Sequence, residues 1–104
     1  MRMNDTENYS FNSLILTLEQ KGAIHILIYL DEKKSANLSS IIKDTVKIGQ
    51  TAIYTAVRKL LDQELINEKK EPPYNRRFFS LTTRGKKVVE ILKKLKDFTR
   101  IGVM

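Results

Sequence analysis

The chain has 104 residues, enough for one small domain, and its 41% hydrophobic content suffices for a single core. The absence of cysteine excludes disulfides and thiolate metal sites, and no apolar run is long enough to span a bilayer. The net charge is +7, and all of it lies in residues 66–104, which hold 11 Lys and Arg against 4 Asp and Glu. This asymmetry indicates a polyanionic partner, and we expect a cytoplasmic protein without a metal ion or other cofactor.

The N-terminal third predicts a tail followed by one buried helix. Residues 1–13 show no hydrophobic periodicity, which predicts a flexible N-terminal tail. Residues 14–30 are densely apolar and predict a helix. Its apolar positions at helical spacing are Leu18, Ala23, Ile26, Leu27 and Leu30, and Ile24 and Ile28 widen this stripe. A helix this apolar in so small a protein should be buried on two sides, one by its own domain and the other by a second subunit.

The middle of the chain predicts two successive helices. Residues 35–38 are too short to assign, and a small strand is one interpretation. Ser39 is a predicted N-cap for a short helix that runs to about Lys47. Gly49 suits the connection and the N-cap of the next helix, which extends to about Leu65. Helix, short turn and second helix form the helix-turn-helix pattern.

The second of these helices has two different faces. Its apolar stripe recurs at three- and four-residue steps and consists of Ile53, Ala56, Val57, Leu60 and Leu61. The opposite face carries Gln50, Thr51, Tyr54, Thr55 and Arg58. None of these side chains is acidic, and each can hydrogen-bond or stack. This face therefore suits base edges and phosphates better than an ordinary solvated surface does.

Residues 66–71 and 76–81 read as two strands joined by a proline-containing tip. Either proline bond at the tip, Glu71–Pro72 or Pro72–Pro73, is a candidate for the cis form. Phe78 or Phe79 should anchor the hairpin in the core. Arg76 and Arg77 lie just past the tip with no nearby carboxylate after Glu71, so they suit a phosphate backbone or a narrow minor groove. A solvated edge hairpin is the alternative.

Thr82 is the predicted N-cap of a last helix that continues close to the chain end. Its apolar positions cover about half of its circumference and include Val88, Ile91, Leu92, Leu95 and Phe98. This stripe is wider than one helix seam requires. It should pack partly on its own domain and partly on a partner.

Two stretches resemble known regulators. Residues 52–60, Ala-Ile-Tyr-Thr-Ala-Val-Arg-Lys-Leu, are similar to the recognition helix of PadR-like and MarR-like transcription regulators. Residues 76–85, Arg-Arg-Phe-Phe-Ser-Leu-Thr-Thr-Arg-Gly, resemble their wing strand and the following turn, which usually ends in Leu-Thr-x-x-Gly. One departure is Glu64, which stands where these proteins usually have a glycine, so that turn is expected to close differently.

The resemblance implies a mostly helical α+β fold, a winged helix-turn-helix with a long C-terminal dimerisation helix. We assign residues 14–82 to the winged domain and residues 83–104 to the dimerisation helix. The implied function is sequence-specific binding of double-stranded DNA at a two-fold related site by a homodimeric regulator, more often a repressor than an activator. No nucleophile–base pair, phosphate-binding glycine loop or metal-ligand spacing indicates an enzyme. The alternatives are a protein-interaction module and a nonspecific architectural DNA-binding protein.

The candidate DNA-contacting residues come from the helix-turn-helix and the wing. They are Ser39, Ser40, Lys43, Gln50, Thr51, Tyr54, Thr55, Arg58, Tyr74, Arg76 and Arg77. The candidate dimerisation residues come from the first and last helices. They are Leu18, Ile24, Leu27, Ile28, Val88, Ile91, Leu92, Leu95 and Phe98.

Overall fold

The computed structural model describes residues 10–102, with side chains described through residue 98. This part of the chain forms five α-helices and one three-stranded antiparallel sheet with strand order β1-β3-β2. The elements in chain order are α1 Phe11–Glu19, α2 Ala23–Lys33, β1 Ala36–Asn37, α3 Leu38–Asp44, α4 Gln50–Asp62, β2 Ile66–Glu71, β3 Arg76–Leu81 and α5 Thr83–Gly102. The expected α+β, mostly helical, winged helix-turn-helix fold is confirmed.

The single first helix expected over residues 14–30 is wrong, because the chain breaks at Gly22. This glycine has φ +92°, a left-handed conformation that favours glycine. A Cβ built there would lie 3.0 Å from the Ile48 side chain and 3.1 Å from that of Ile53. The break therefore lets α1 and α2 follow different directions while the backbone passes close to the core.

The first helix begins earlier than expected. The Ser10 hydroxyl accepts a hydrogen bond from the Ser13 N–H at 3.2 Å and caps α1, so residues 11–13 are helical and do not belong to a tail. Residues 1–9 of the expected tail lie outside the described residues.

The short helix α3 is capped by Asn37 and not by Ser39. The Asn37 Oδ1 accepts the Ser40 N–H at 2.8 Å, and α3 ends at Asp44, before the expected Lys47. Asn37 takes this role because it is the last residue of β1, where the chain is still extended. Gly49 is the N-cap of α4 as expected, with φ +101°.

The sheet holds the wing on the core. Both wing strands have the bounds expected from sequence, and their register pairs Ile66 with Leu81 and Glu71 with Arg76. The small strand β1 exists and pairs Ala36 with Phe79. Phe79 is fully buried and anchors the hairpin, and the Pro72–Pro73 bond at the tip is cis.

The core lies between α2, α4 and the wing strands. Its buried apolar residues are Ala23, Ile26, Leu27, Leu30, Ala36, Ile41, Ile53, Ala56, Val57, Leu60, Leu65, Ile66, Phe79, Leu81 and Val89. Helix α5 contributes only Val89 to this set, with Val88 and Leu92 partly buried beside it. An ion pair between Lys93 Nζ and Asp31 Oδ2, at 2.8 Å, also ties α5 to α2. Beyond Lys93, the described side chains of α5, through Phe98, are exposed.

Candidate nucleic-acid interface

The outward face of α4 presents a row of polar side chains. Gln50, Tyr54 and Arg58 are exposed at four-residue steps, and the Tyr54 side chain remains 44% exposed. The Gln50 Nε2 donates a hydrogen bond to the Tyr54 hydroxyl at 3.0 Å. This bond joins two members of the row that lie one helical turn apart. The row has the geometry expected from the helical spacing.

The beginning of α4 has no side-chain cap, because Gly49 occupies the N-cap position. The first-turn N–H groups and the exposed Thr51 hydroxyl therefore face outward beside Gln50. No acidic residue lies in this turn. The hydroxyl of Thr55 donates to the Thr51 carbonyl at 3.1 Å, so Thr55 is less available to a ligand than expected.

Helix α3 places its candidates differently. Ser39 and Lys43 are exposed, whereas Ser40 is half-buried and its N–H is already bound by Asn37. The Tyr29 hydroxyl donates to Asp44 Oδ2 at 2.7 Å and ties the end of α3 to α2. Burial, and then this hydrogen bond, raise the pKa of Tyr29 to about 12. Helix α3 is thereby held in place by its buried Ile41 and by this bond to α2.

The two wing arginines have different surroundings. Tyr74, at the tip, is 80% exposed, and Arg76 is also exposed. Arg77, however, pairs with Glu68, with Nε 2.6 Å from Oε2 and Nη2 3.2 Å from Oε1. The expectation that Arg77 lacks a nearby carboxylate is wrong. Glu68 stands opposite Phe79 on the neighbouring strand, which places its carboxylate diagonally beside Arg77 on the same face.

The pair perturbs both groups in the direction that favours their charges. The hydrogen bond to Glu68 is the main cause of the raised pKa of Arg77, and attraction from Glu68 and from Tyr54 adds to it against desolvation. The hydrogen bond from Arg77 is the main cause of the lowered pKa of Glu68. Hydrogen bonds and opposite charges therefore hold Arg77 and Glu68 together across the two wing strands.

A junction behind this site fixes the end of α4 against α5. The Arg84 guanidinium donates to the backbone oxygen of Gln63 at 3.0 Å and to its side-chain oxygen at 3.2 Å. The Thr82 hydroxyl donates to the Glu64 carbonyl at 2.7 Å and accepts the Gly85 N–H at 2.9 Å, which confirms Thr82 as the N-cap. Sequence reasoning missed this junction, although the Leu-Thr-x-x-Gly stretch was its signal.

Gly85 belongs to the same junction. A Cβ built on it would overlap the carbonyl oxygen of Leu65, so only glycine allows α5 to pass this close to the chain leaving α4. That carbonyl oxygen also accepts the Thr82 N–H at 3.1 Å.

The turn at the end of α4 closes in the usual way despite the missing glycine. Glu64 has φ +56°, the left-handed conformation expected of glycine at this position. The Leu65 N–H donates to the Leu60 carbonyl at 3.0 Å and the Glu64 N–H donates to the Leu61 carbonyl at 3.0 Å. These are the two bonds of a Schellman motif. The expectation of a different closure is wrong, because burial of Leu60 and Leu65 holds the turn.

The candidate dimerisation residues divide into three groups by burial. Leu27 is fully buried in the core and has no surface for a partner, because α2 turns that face inward. Leu18, Val88 and Leu92 are partly buried against the same core. The remaining candidates are exposed: Ile24, Ile28, Ile91, Leu95 and Phe98. Sequence reasoning missed Phe11 and Leu16, two further exposed apolar residues on α1.

No group of His, Asp or Glu within the described residues is arranged to hold a metal ion. The helices found in residues 10–102 include none that is long and apolar enough to cross a membrane.

The fold and the exposed face of α4 define a winged helix-turn-helix protein. Residues 17–102 match the HxlR-like helix-turn-helix family, and the chain belongs to that family. Its structure is similar to that of a MarR-family transcriptional regulator from Porphyromonas gingivalis, with 18% identity and a TM-score of 0.72 over 86% of this chain and 87% of that one.

Two further solved structures are similar. The reduced form of the transcriptional regulator YodB from B. subtilis has 17% identity and a TM-score of 0.65 over 94% of this chain and 91% of that one. The adhesin competence repressor AdcR from Streptococcus pyogenes has 20% identity and a TM-score of 0.54 over 86% of this chain and 73% of that one. A comparison with curated protein sequences finds no match.

The family assignment determines the class of activity. The chain is a DNA-binding transcription regulator of the HxlR-like helix-turn-helix family and not an enzyme. The expected MarR-like resemblance is confirmed at the level of fold. The PadR-like part of the resemblance stays a prediction.

Proposed function

We propose that the protein binds double-stranded DNA sequence-specifically as a homodimer, with α4 in the major groove and the wing on the backbone or in the minor groove. The observation that carries this proposal is the exposed row of Gln50, Tyr54 and Arg58, along which no acidic residue occurs before Asp62. A groove of B-DNA admits one helix, and α4 is the helix whose polar face is exposed beside a basic hairpin.

Each member of the row has a role suited to its chemistry. Gln50 uses one amide hydrogen on Tyr54, which leaves its other hydrogen and its oxygen for the N7 and N6 groups of an adenine. The exposed first-turn N–H groups and the Thr51 hydroxyl suit a phosphate. Arg58 lies one turn beyond Tyr54 on α4 and could bind either a guanine edge or a phosphate. The proposal does not choose between these two partners.

The homodimer is proposed from apolar surface that this domain leaves uncovered. The exposed set lies on α1, α2 and α5 and comprises Phe11, Leu16, Ile24, Ile28, Ile91, Leu95 and Phe98. The Phe98 side chain alone is 70% exposed. A second copy of the chain carries the same apolar helices and could cover this surface in a symmetric dimer. Such a two-fold dimer would place its two α4 helices on the two halves of a two-fold related DNA site.

Repression is the proposed direction of regulation. The S. pyogenes protein to which this chain is similar is named a repressor. A dimer that covers a DNA site excludes other proteins from it without any further contact. The proposal places the protein in the cytoplasm, where it meets its DNA.

The test of specificity begins with a selection of bound fragments from genomic DNA. Wild type, Gln50→Ala and Tyr54→Ala are then titrated against the selected duplex and a scrambled duplex at one stated salt concentration. We expect each variant to lose about 1–3 kcal/mol on the selected duplex and far less on the scrambled one. Asn12→Ala, which removes an exposed amide from α1, is the matched control and should change neither affinity.

Equal wild-type affinity for both duplexes would reject sequence-specific regulation and favour an architectural DNA-binding protein. Absence of DNA binding would favour the protein-interaction module.

The dimer is tested separately by light scattering at micromolar concentration. Leu95→Gln with Phe98→Gln should raise the dimer dissociation constant, because both changes place amides in the apolar surface. Lys94→Gln with Lys96→Gln alters the same helix at exposed polar positions and serves as the control. A monomeric wild-type protein would contradict the dimer.

A further inference from the structure

Glu68 is an acidic residue at the edge of a surface that is proposed to meet DNA. Its carboxylate lies on the wing strand β2 and pairs with Arg77 on β3, the neighbour of the exposed Arg76. A carboxylate in such a place repels phosphates and reduces the attraction of the wing for any duplex. We therefore expect Glu68 to have a role other than strengthening the binding of DNA.

The geometry around Arg77 shows what Glu68 does to it. The Arg77 guanidinium lies 5.3 Å from the centroid of the buried Phe79 ring and donates two hydrogen bonds to Glu68. A guanidinium has five N–H donors, so these two bonds leave three for other partners. The side chains of Arg77 and Glu68 are 40% and 23% exposed, respectively. Because the Arg77 side chain is 40% exposed, solvent can reach its remaining donors.

We propose that Glu68 is a specificity-determining residue that acts through Arg77, and this inference rests on the DNA-binding function proposed above. Glu68 holds the Arg77 guanidinium in a single orientation on the wing and cancels most of its attraction for phosphates. The fixed orientation lowers the entropy lost when Arg77 meets a matching groove. The cancelled charge weakens binding to every other sequence. Both effects increase the ratio of the affinity for the operator to the affinity for random DNA.

The same strand supplies a matched control. Glu71 is also on β2 and stands opposite Arg76 in the strand register. Its carboxylate lies 4.0 Å from Lys69 Nζ, too far for a firm hydrogen bond, and it is more exposed than Glu68. Glu68→Gln and Glu71→Gln therefore remove the same charge from the same strand, but only the first releases Arg77.

The experiment titrates wild type, Glu68→Gln, Glu71→Gln and Glu68→Asp against the selected duplex and a random-sequence duplex over a salt series. Released Arg77 should add one phosphate contact, which steepens the salt slope on random DNA by about 0.9 and tightens binding about eightfold at 0.1 M salt. The ratio of selected to random affinity should fall by a similar factor. Glu71→Gln should produce a smaller change, and Glu68→Asp should restore part of the ratio.

A second background separates masking of Arg77 from simple charge removal. In Arg77→Met, where no guanidinium remains to release, Glu68→Gln should no longer steepen the salt slope. An equal effect of Glu68→Gln in both backgrounds, or equal effects of Glu68→Gln and Glu71→Gln, would overturn the proposal.

The same experiment distinguishes failure of the proposed function from failure of the proposed role of Glu68. A wild type that binds both duplexes equally would reject sequence-specific regulation, whereas the comparison of the two glutamate variants on random DNA would still decide whether Glu68 masks Arg77. Thermal melts of all variants show whether any change reflects unfolding.

Discussion

The two ends of the wing hairpin are built in opposite ways. We define the wing base as Gln63, Glu64, Leu65, Thr82, Arg84 and Gly85, and the wing tip as residues 72–76. The base joins α4, β2, β3 and α5 through short hydrogen bonds and one close backbone approach. The tip is exposed throughout. The base therefore fixes the relative orientation of α4 and the hairpin. The exposed side chains of the tip do not pack on the core and are available to DNA.

This difference predicts that changes at the base act on stability and changes at the tip act on DNA affinity. The predictions below test that separation, beginning with the largest expected effect.

Gly85→Ala should damage the base most. The added methyl group overlaps the Leu65 carbonyl oxygen, which is backbone and cannot rotate away, so α5 must shift. We expect a loss of about 1–3 kcal/mol in the free energy of unfolding, together with weaker DNA binding, measured by denaturant titration. Thr83→Ala, at an exposed neighbouring position, is the control. An unchanged stability would show that the base tolerates the shift.

Thr82→Val tests the hydrogen bonds of the base without changing its shape. The valine keeps the size of threonine but neither donates to the Glu64 carbonyl nor accepts the Gly85 N–H. We expect a loss of about 1–2 kcal/mol in the free energy of unfolding. Thr83→Val should cost much less. If Thr82→Val and Thr83→Val had the same free energy of unfolding, the N-cap role of Thr82 would be wrong.

Arg76→Ala tests the tip. Arg76 is exposed, so its removal should leave the melting temperature unchanged. It should weaken selected and scrambled duplexes alike and lower the salt slope by about one unit. A change in the preferred sequence would instead assign Arg76 to the minor groove, where it reads shape.

Glu64→Gly should have the smallest effect and the opposite sign. Glycine removes the cost of the left-handed conformation at φ +56° but adds backbone entropy to the unfolded chain. The net gain in the free energy of unfolding should be about 0.5 kcal/mol. A destabilised glycine variant would show that the contacts of the Glu64 side chain outweigh the strain.

Much of the architecture could be predicted because it depends on local periodicity. The bounds of β2 and β3, the apolar stripe of α4 and the N-cap roles of Gly49 and Thr82 all follow from residues within a few positions of each other. The failures share a different origin. The periodicity of residues 14–30 predicts a helix through Gly22. The break at Gly22 becomes evident only from its close approach to Ile48 and Ile53, which are far away in the chain.

The class of fold, the exposed face of α4 and the basic charge of the wing region follow from the order of residues alone, because spacing and composition set them directly. Tertiary structure decided which charges are paired and which apolar residues remain uncovered. Arg77 meets Glu68 only because antiparallel register places residue 68 opposite residue 79. Leu27 is buried while Ile28, its neighbour, is exposed, because the direction of α2 against α4 selects the inner face. These outcomes depend on distances between segments far apart in the chain, and periodicity carries no information about them.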